Sequence, residues 1–340
     1  MKKILIFSLV TVLFISCSSN SEGPGGEVII DPVFTAQTKS VASIGHESAN
    51  VFGAISPSFV SSTSAYGICY GLNPNPTIAG SFVAGANINP ATGGFSCQLK
   101  SLAHNTNYYV RAFGTTSNGT TYGDQLVFST LNQLYVNGGA LIDADGNSYT
   151  TVVINGKQWM QGNLNVSKYR NGDVIPEVTN VADWDALTTG AWCYYENNTA
   201  NGPVYGKLYN WYAINDPRGL APTGWHIPSD AEWTSLTDFL GGTSAAGIKM
   251  RDIGDLWSTS AVIATNQAGF SALPGGYGYL THTYTTVDQP FYSLRDVAIW
   301  WSATSLNTNT AYSLNVNLNN SVTKGAILKK AALSVRCVRY

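Results

Sequence analysis

Between residues 34 and 131 the chain is a succession of short runs in which apolar and polar residues alternate, separated by Asn, Pro and Gly. The clearest are SANVFGAIS, AYGICYG, GFSCQLKSL, NYYVRAFGTTS and QLVFST. A period of two sends alternate side chains to opposite faces of a sheet, and closely spaced turn residues fold each strand back on the last. A β-sandwich is the architecture that this pattern predicts for residues 34–131. Alternation places Cys97 inward with Phe95 and Leu99 and leaves Cys69 out of phase, so no bridge between the two is expected.

Residues 1–16 have another pattern: Lys2 and Lys3 precede an apolar run from Ile4 to Ile15. The run is shorter than the ~20 residues needed to span a bilayer and reads as an export signal peptide. Phe14-Ile15-Ser16-Cys17 resembles a bacterial lipobox, which implies a lipid anchor on Cys17, and Ser18 after it fits the outer membrane by analogy with enterobacterial sorting, surface exposure left open. Residues 17–33, rich in Ser, Gly and Pro, read as a flexible tether above that anchor. Only 11% of the residues are charged and the net charge is −2. No basic face is available for nucleic acid, and the membrane is a partner through the lipid alone.

Residues 132–340 form a second unit that holds all nine tryptophans. Rings of that size in a Gly- and Asn-rich stretch must supply most of its core. Adjacent Trp300 and Trp301, if on a strand, point to opposite faces. Asp145-Gly146 marks a hairpin turn, YTTVVI a strand, and NVADWDAL a short helix capped by Asn180. YGKLYNWYAI fits a strand or a helix equally.

The stretch GWHIPSDAEW carries Trp225, His226, Ser229, Glu232 and Trp233. Ser-x-x-Glu is a capping box, and Trp233, Leu236, Phe239 and Leu240 then recur at helical spacing up to Gly241-Gly242. Ser229 and Glu232 are thereby engaged in holding a helix end. For His226 a structural role is expected, with its half-buried ring bonded to backbone. No Gly-x-Ser-x-Gly elbow accompanies it, and Glu196, Asp216, Asp255, Asp288 and Asp296 share no spacing that groups them. DADGNSY lacks the distal glutamate of a calcium loop, and no Cys/His spacing suits zinc. No catalytic residue, metal or cofactor is therefore assigned.

Two family resemblances attach to these residues. Leu102-x-x-x-Thr106-x-Tyr108, followed by Val110 and Ala112, resembles the tyrosine corner and F strand of a fibronectin type III domain, with His104 where that family usually has Pro. Such modules serve mostly as spacers or docking surfaces. The segments DADGNSYTTVVINGKQWMQGNLNVSKYRNGDVIP, YGKLYNWYA, APTGWHIPSDAEW, GFSALPGGY, WWSAT and SVRCVRY together resemble the Fibrobacter succinogenes major paralogous domain over residues 141–340. More distantly, HIPSDAEW and SVRC are similar to motifs of formylglycine-generating-enzyme-like proteins, whose architecture is C-type-lectin-like. The resemblance implies a loop-rich α+β unit with its ends close together, in a mostly β chain. Nothing matches the oxidase's cysteine pair, so its activity is not carried over. Many relatives have Cys where this chain has Ala221.

Cys193 and Cys337 are the only cysteines of the second unit. They form a disulfide if the terminal strand returns beside AWCYY and remain two buried thiols if it does not. By analogy with lectin-like loops, Gly275 to Gln289 is the expected recognition surface, with Tyr277, Tyr279, His282 and Tyr284 offering rings to a glycan or an envelope protein. A binding or adhesion protein on a lipid tether is the expected function. An envelope enzyme acting on polysaccharide or protein is the alternative.

Overall fold

The computed structural model describes residues 33–258, 264–279 and 290–339. The first unit has eight strands: β1 (Ala36–Ala42), β2 (Ala49–Ile55), β3 (Ala65–Gly71), β4 (Ser81–Ala84), β5 (Gly94–Leu99), β6 (Asn107–Thr116), β7 (Gly119–Tyr122) and β8 (Leu126–Ser129), of which β2, β3, β5, β6 and β8 are the five alternating runs. One sheet has the order β1-β2-β5 and faces a second of order β4-β3-β6-β7, with β8 also on β6. Val51, Ile68, Leu99, Val110 and Ala112 fill the space between them, each fully buried. Tyr108 makes the corner expected of it: its hydroxyl accepts the Ala103 amide N–H at 2.9 Å, over buried Leu102. Cys69 and Cys97 are unbridged. Cys69 lies on β3, in register with Phe82 and Arg111, whereas Cys97 lies on β5 of the other sheet.

A short seam joins this sandwich to the second unit. His46 is buried, with Nδ1 3.3 Å from the Thr265 carbonyl oxygen and its ring edge-on to Tyr135. Beside these contacts, within the second unit, the Leu134 amide donates to the Gln267 carbonyl at 3.0 Å, and the Gln267 side chain donates to the Asn132 carbonyl at 2.7 Å.

The second unit has short strands in several small sheets. β9 (Val136–Ile142), β10 (Ser148–Ile154) and β11 (Lys157–Met160) follow one another, and then come the two-residue strands β12 (Trp192–Cys193) and β13 (Leu208–Tyr209). β14 (Gly275–Gly278) pairs with β15 (Phe291–Leu294), and β16 (Val297–Ser305), β17 (Thr310–Asn317) and β18 (Val322–Leu328) form a meander. The last strand, β19 (Val338–Arg339), returns to β11 and completes the order β19-β11-β10-β9, so the two ends of the unit do meet. Among the described residues five short α-helices lie between strands: α1 (Val181–Asp185), α2 (Gly202–Tyr205), α3 (Trp211–Ile214), α4 (Asp230–Phe239) and α5 (Ala246–Met250).

β16 is the wall between two cores. Trp300 points into a cluster with Trp159, Trp233 and Phe270, and Trp301 into another with Tyr209, Trp211 and Leu333. Period two on a strand buried on both faces accounts for this split. All nine tryptophans are buried. The ambiguous YGKLYNWYAI divides at Asn210: β13 lies before it, and its side chain then accepts the Ala213 amide to cap α3. The predicted cap at Asn180 is also present, accepting the Ala182 and Asp183 amides.

Loops leave backbone carbonyls without ladder partners, and side chains take them up. Six indole N–H groups donate to backbone carbonyls: Trp184 to Lys330, Trp192 to Ile175, Trp211 to Ser302, Trp233 to Trp301, Trp257 to Ala272 and Trp301 to Tyr209. Arg336 does the same with a whole guanidinium. It is fully buried and donates to Asn163 Oδ1 at 3.0 Å, to the Met160 carbonyl at 3.2 Å, to the Ser271 carbonyl at 2.6 Å and to the Phe270 carbonyl. Phe270 and Trp300 flank its plane. Burial pulls this group down to about 9, against the raising influence of Asp252, so it remains charged at neutral pH.

The Cys193–Cys337 bridge is not formed. Cys337 precedes β19, where its carbonyl accepts the Met160 amide, while Cys193 sits on β12 against β13, in a separate core cluster. The terminal strand returns beside β11 and not beside AWCYY, which removes the premise of the bridge. Burial raises all four thiols, Cys97 to about 11, so each is a protonated packing group at neutral pH.

Candidate functional site

Three places compete for a functional role, and the first is the capping box. Ser229 Oγ accepts the Glu232 amide, and Glu232 Oε2 accepts the Ser229 amide at 2.9 Å, so the predicted box is complete. Buried Trp233 and Leu236 dock the helix, but Phe239 is 42% exposed, since the run turns it away from the core. The expected role of the His226 ring needs correction. Its Nε2 lies 2.9 Å from Glu232 Oε1, while its backbone pairs with Val338. Lys157 Nζ reaches the same carboxylate oxygen at 3.0 Å. Burial opposes ionisation of Glu232, but the Ser229 amide, His226, Lys157 and the Ser229 hydroxyl outweigh it and hold the carboxyl down to about 2. A carboxylate so fully occupied joins β11, α4 and the His226 segment. It is a weak base. Trp225, buried beside it, passes its carbonyl to Arg170.

The second place is the expected recognition loop. His282 and Tyr284 lie outside the described residues. Tyr277 is half-buried on β14 and stacks on Tyr292 at 5.7 Å. Tyr279 does not belong to an exposed surface. It is 4% exposed, stacked on Trp184 at 4.6 Å and edge-on to Phe291. The ring expected, by analogy with lectin-like loops, to be displayed instead lies in a core cluster.

The third place was not visible in the sequence. A cleft of about 390 Å³ opens where the start of β10, the 162–165 loop and α2 converge. Asn147, Ser148 and Thr150 line one wall, Gly162, Asn163 and Asn165 another, and Pro203, Val204 and Gly206 a third. Each wall is fixed from behind. Asp143 accepts the Asp145 and Asn147 amides, the Asn147 side chain at 2.8 Å and the Tyr149 hydroxyl at 2.6 Å, which makes DADGNSY a turn, as its sequence suggests. Asn163 is buried and saturated: its oxygen accepts Trp300 Nε1 and Arg336 Nε, and its nitrogen donates to the Tyr205 carbonyl and Ser334. Gly206 has φ +74, and a Cβ there would meet the Leu164 carbonyl oxygen at 2.7 Å, so only glycine fits.

Lys207 holds the same region from below. Its Nζ donates to the Asn165 carbonyl at 2.6 Å and to Asn165 Oδ1 at 3.2 Å, with the Trp192 and Tyr194 rings over it. Burial lowers this ammonium from its usual range, against the pull of Asp145, Asp143 and Glu177. Among the described residues, no group of three or more His, Cys, Asp or Glu side chains is arranged to hold a metal ion. The only signal in the sequence was the repeated asparagine of GNLNV and DADGN. Nothing local indicates that the two segments face each other.

The profile of the Fibrobacter succinogenes major domain matches residues 152–339. No curated protein matches the chain. Among the solved structures that are similar to it, three cover less than a third of the chain each. One is described as "Myokine structure", at 18% identity, covering 29% of this chain and 97% of that one, with a TM-score of 0.22. The sensor domain of the anti-sigma factor RsgI4 of Pseudobacteroides cellulosolvens has 20% identity, with 30% and 98% covered and a TM-score of 0.23. The fibronectin type III domain of the human KIAA0970 protein, matching the N-terminal region, has 13% identity, with 28% and 73% covered and a TM-score of 0.21.

Proposed function

The chain belongs to the Fibrobacter succinogenes major domain family, and from that premise we propose that it is a non-catalytic lipoprotein of the cell envelope, presenting a lectin-like binding module on a spacer. The observation that carries this reading is the division of labour in the second unit. The polar groups with perturbed ionisation that bind its elements together, Glu232, Lys207 and Arg336, are engaged in internal bonds. The open cleft is lined by amides, hydroxyls and glycines. Catalysis by acid and base asks for ionisable groups converging on an open pocket. Recognition asks for a rigid surface with hydrogen-bonding capacity left over.

Cys17 lies outside the described residues, so the anchor rests on the lipobox resemblance alone. Two or three acyl chains suffice for stable tethering. The partner is a glycan or another envelope protein, and the sandwich acts as the spacer that carries the module away from the membrane.

Fractionation and protease shaving of intact cells test this. Wild-type protein is expected in the outer-membrane fraction and accessible to protease, and Cys17→Ser is expected to leave that fraction. Wild-type protein found soluble, or turnover of a polysaccharide or peptide that disappears in a folded His226→Ala variant, overturns it.

A further inference from the structure

Resting on the binding reading above, we propose that the cleft between β10, the 162–165 loop and α2 is a binding site for a neutral saccharide unit. The first argument is charge. Among the described residues, no carboxylate, amine, imidazole or thiol lines the cleft. Its one titratable side chain, Tyr149, is buried, donates to Asp143 at 2.6 Å and accepts the Asn165 amide at 2.9 Å. A phosphate, uronate or ammonium group would lose water there and meet no counter-charge, which is unfavourable.

The second argument is the hydrogen-bonding pattern. Asn147 Nδ2 is fixed toward the Asp143 carboxylate at 2.8 Å, which leaves its Oδ1 as an acceptor. Asn165 Oδ1 is fixed toward the Lys207 ammonium at 3.2 Å, which leaves its Nδ2 as a donor. Both amide orientations are dictated by charged neighbours. The Ser148 and Thr150 hydroxyls, on the exposed face of β10, each donate and accept. Adjacent sugar hydroxyls need this same mixture of donors and acceptors. Pro203 and Val204, the latter 40% exposed, add an apolar patch for the C–H face of a pyranose.

The third argument is rigidity. The groups stand on a paired strand and a glycine-locked loop whose second layer is Asn163, Asp143 and Lys207, so little ordering remains to be lost on binding. The volume of about 390 Å³ lies at the small end for ligand clefts, which suits one or two sugar rings.

The test is saturation-transfer NMR and titration of the folded protein with gluco-, xylo- and mannooligosaccharides, oligogalacturonate and inorganic phosphate. At least one neutral oligosaccharide is expected to bind. The double variant Ser148→Ala/Thr150→Val and the single variant Val204→Glu are each expected to weaken it at least tenfold, with tryptophan fluorescence unchanged. Exclusive binding of oligogalacturonate or phosphate overturns the proposal, as does neutral binding that both variants leave intact. Both of those results preserve the binding-module reading. Silence toward the whole panel also overturns the saccharide site, and anchoring and surface exposure on cells then decide separately whether the broader reading survives.

Discussion

The sandwich and the second unit meet the same requirement, a dry interior with every backbone polar group satisfied, by opposite means. In the sandwich, ladders between long strands satisfy the backbone, and the core is left to Val, Ile, Leu and Phe. In the second unit many strands are two to four residues long, and the carbonyls they leave over are taken by indole N–H groups, Asn163, Asn210 and Arg336. Tryptophan abundance is then a consequence of loop content: one residue supplies a large apolar ring and one donor. The difference also says where change is tolerated. A strand core loses methylenes gradually, whereas a polar hub fails when one member is removed.

The sharpest way to break this comparison is Arg336→Met. Four acceptors each lose a donor together, with only Asn163 Oδ1 keeping a second one from Trp300, and a loss of about 3–5 kcal/mol is expected. All tryptophans lie in the second unit, so urea unfolding followed by their fluorescence reports it alone. Amide exchange in the sandwich is expected to stay slow. Wild-type stability in this variant shows that the hub is not what holds the second unit.

Next in size is acid sensitivity. Glu232 is held at about 2, below its ordinary 4.5, so its contribution is present above about pH 4.5 and is lost as pH falls toward 2. The shift corresponds to at most about 3 kcal/mol. Glu232→Gln is expected to flatten the acid limb of a stability–pH curve read by tryptophan fluorescence. An unchanged limb means that the carboxylate is not the link between β11 and α4.

On the sandwich side Tyr108→Phe removes one hydroxyl–amide bond, and a loss of about 1 kcal/mol is expected, seen in exchange of the Ala103 amide and not in fluorescence. A shift of the fluorescence transition shows that the two units unfold as one. The smallest effect belongs to the seam. Burial lowers His46 from 6.5, against Glu47 and the Thr265 carbonyl, so its neutral form is favoured in the folded state. The seam is complete above pH 6.5 and weakens as pH falls below it. A lower protection factor for the Leu134 amide at about pH 5 than at pH 7, after correction for the intrinsic exchange rate, is the expected readout, with His46→Phe abolishing the difference.

Much of the scaffold was legible. The strands of residues 34–131, the Tyr108 corner, the caps at Asn180 and Ser229 and the opposed rings of Trp300 and Trp301 all follow from spacings of a few residues. Little of the candidate site was. Tyr279 is one of several tyrosines until Trp184 is seen stacked on it, and the His226 ring has no assigned partner until α4 folds Glu232 back to it. The cleft draws on three segments spread over residues 147–206, with Leu273 beyond them.

Whatever is closed within one turn or one strand could be read from the residues in order: periodicity, caps, the hairpin at Gly146, the family to which residues 152–339 belong. It took the packed chain to place Arg336 under Phe270, to keep the four described cysteines apart and to turn asparagines 147 and 165 toward one cleft. Local patterns set which groups need partners. The choice of partner depends on chain closure over tens to hundreds of residues, and that is settled when the whole core packs at once.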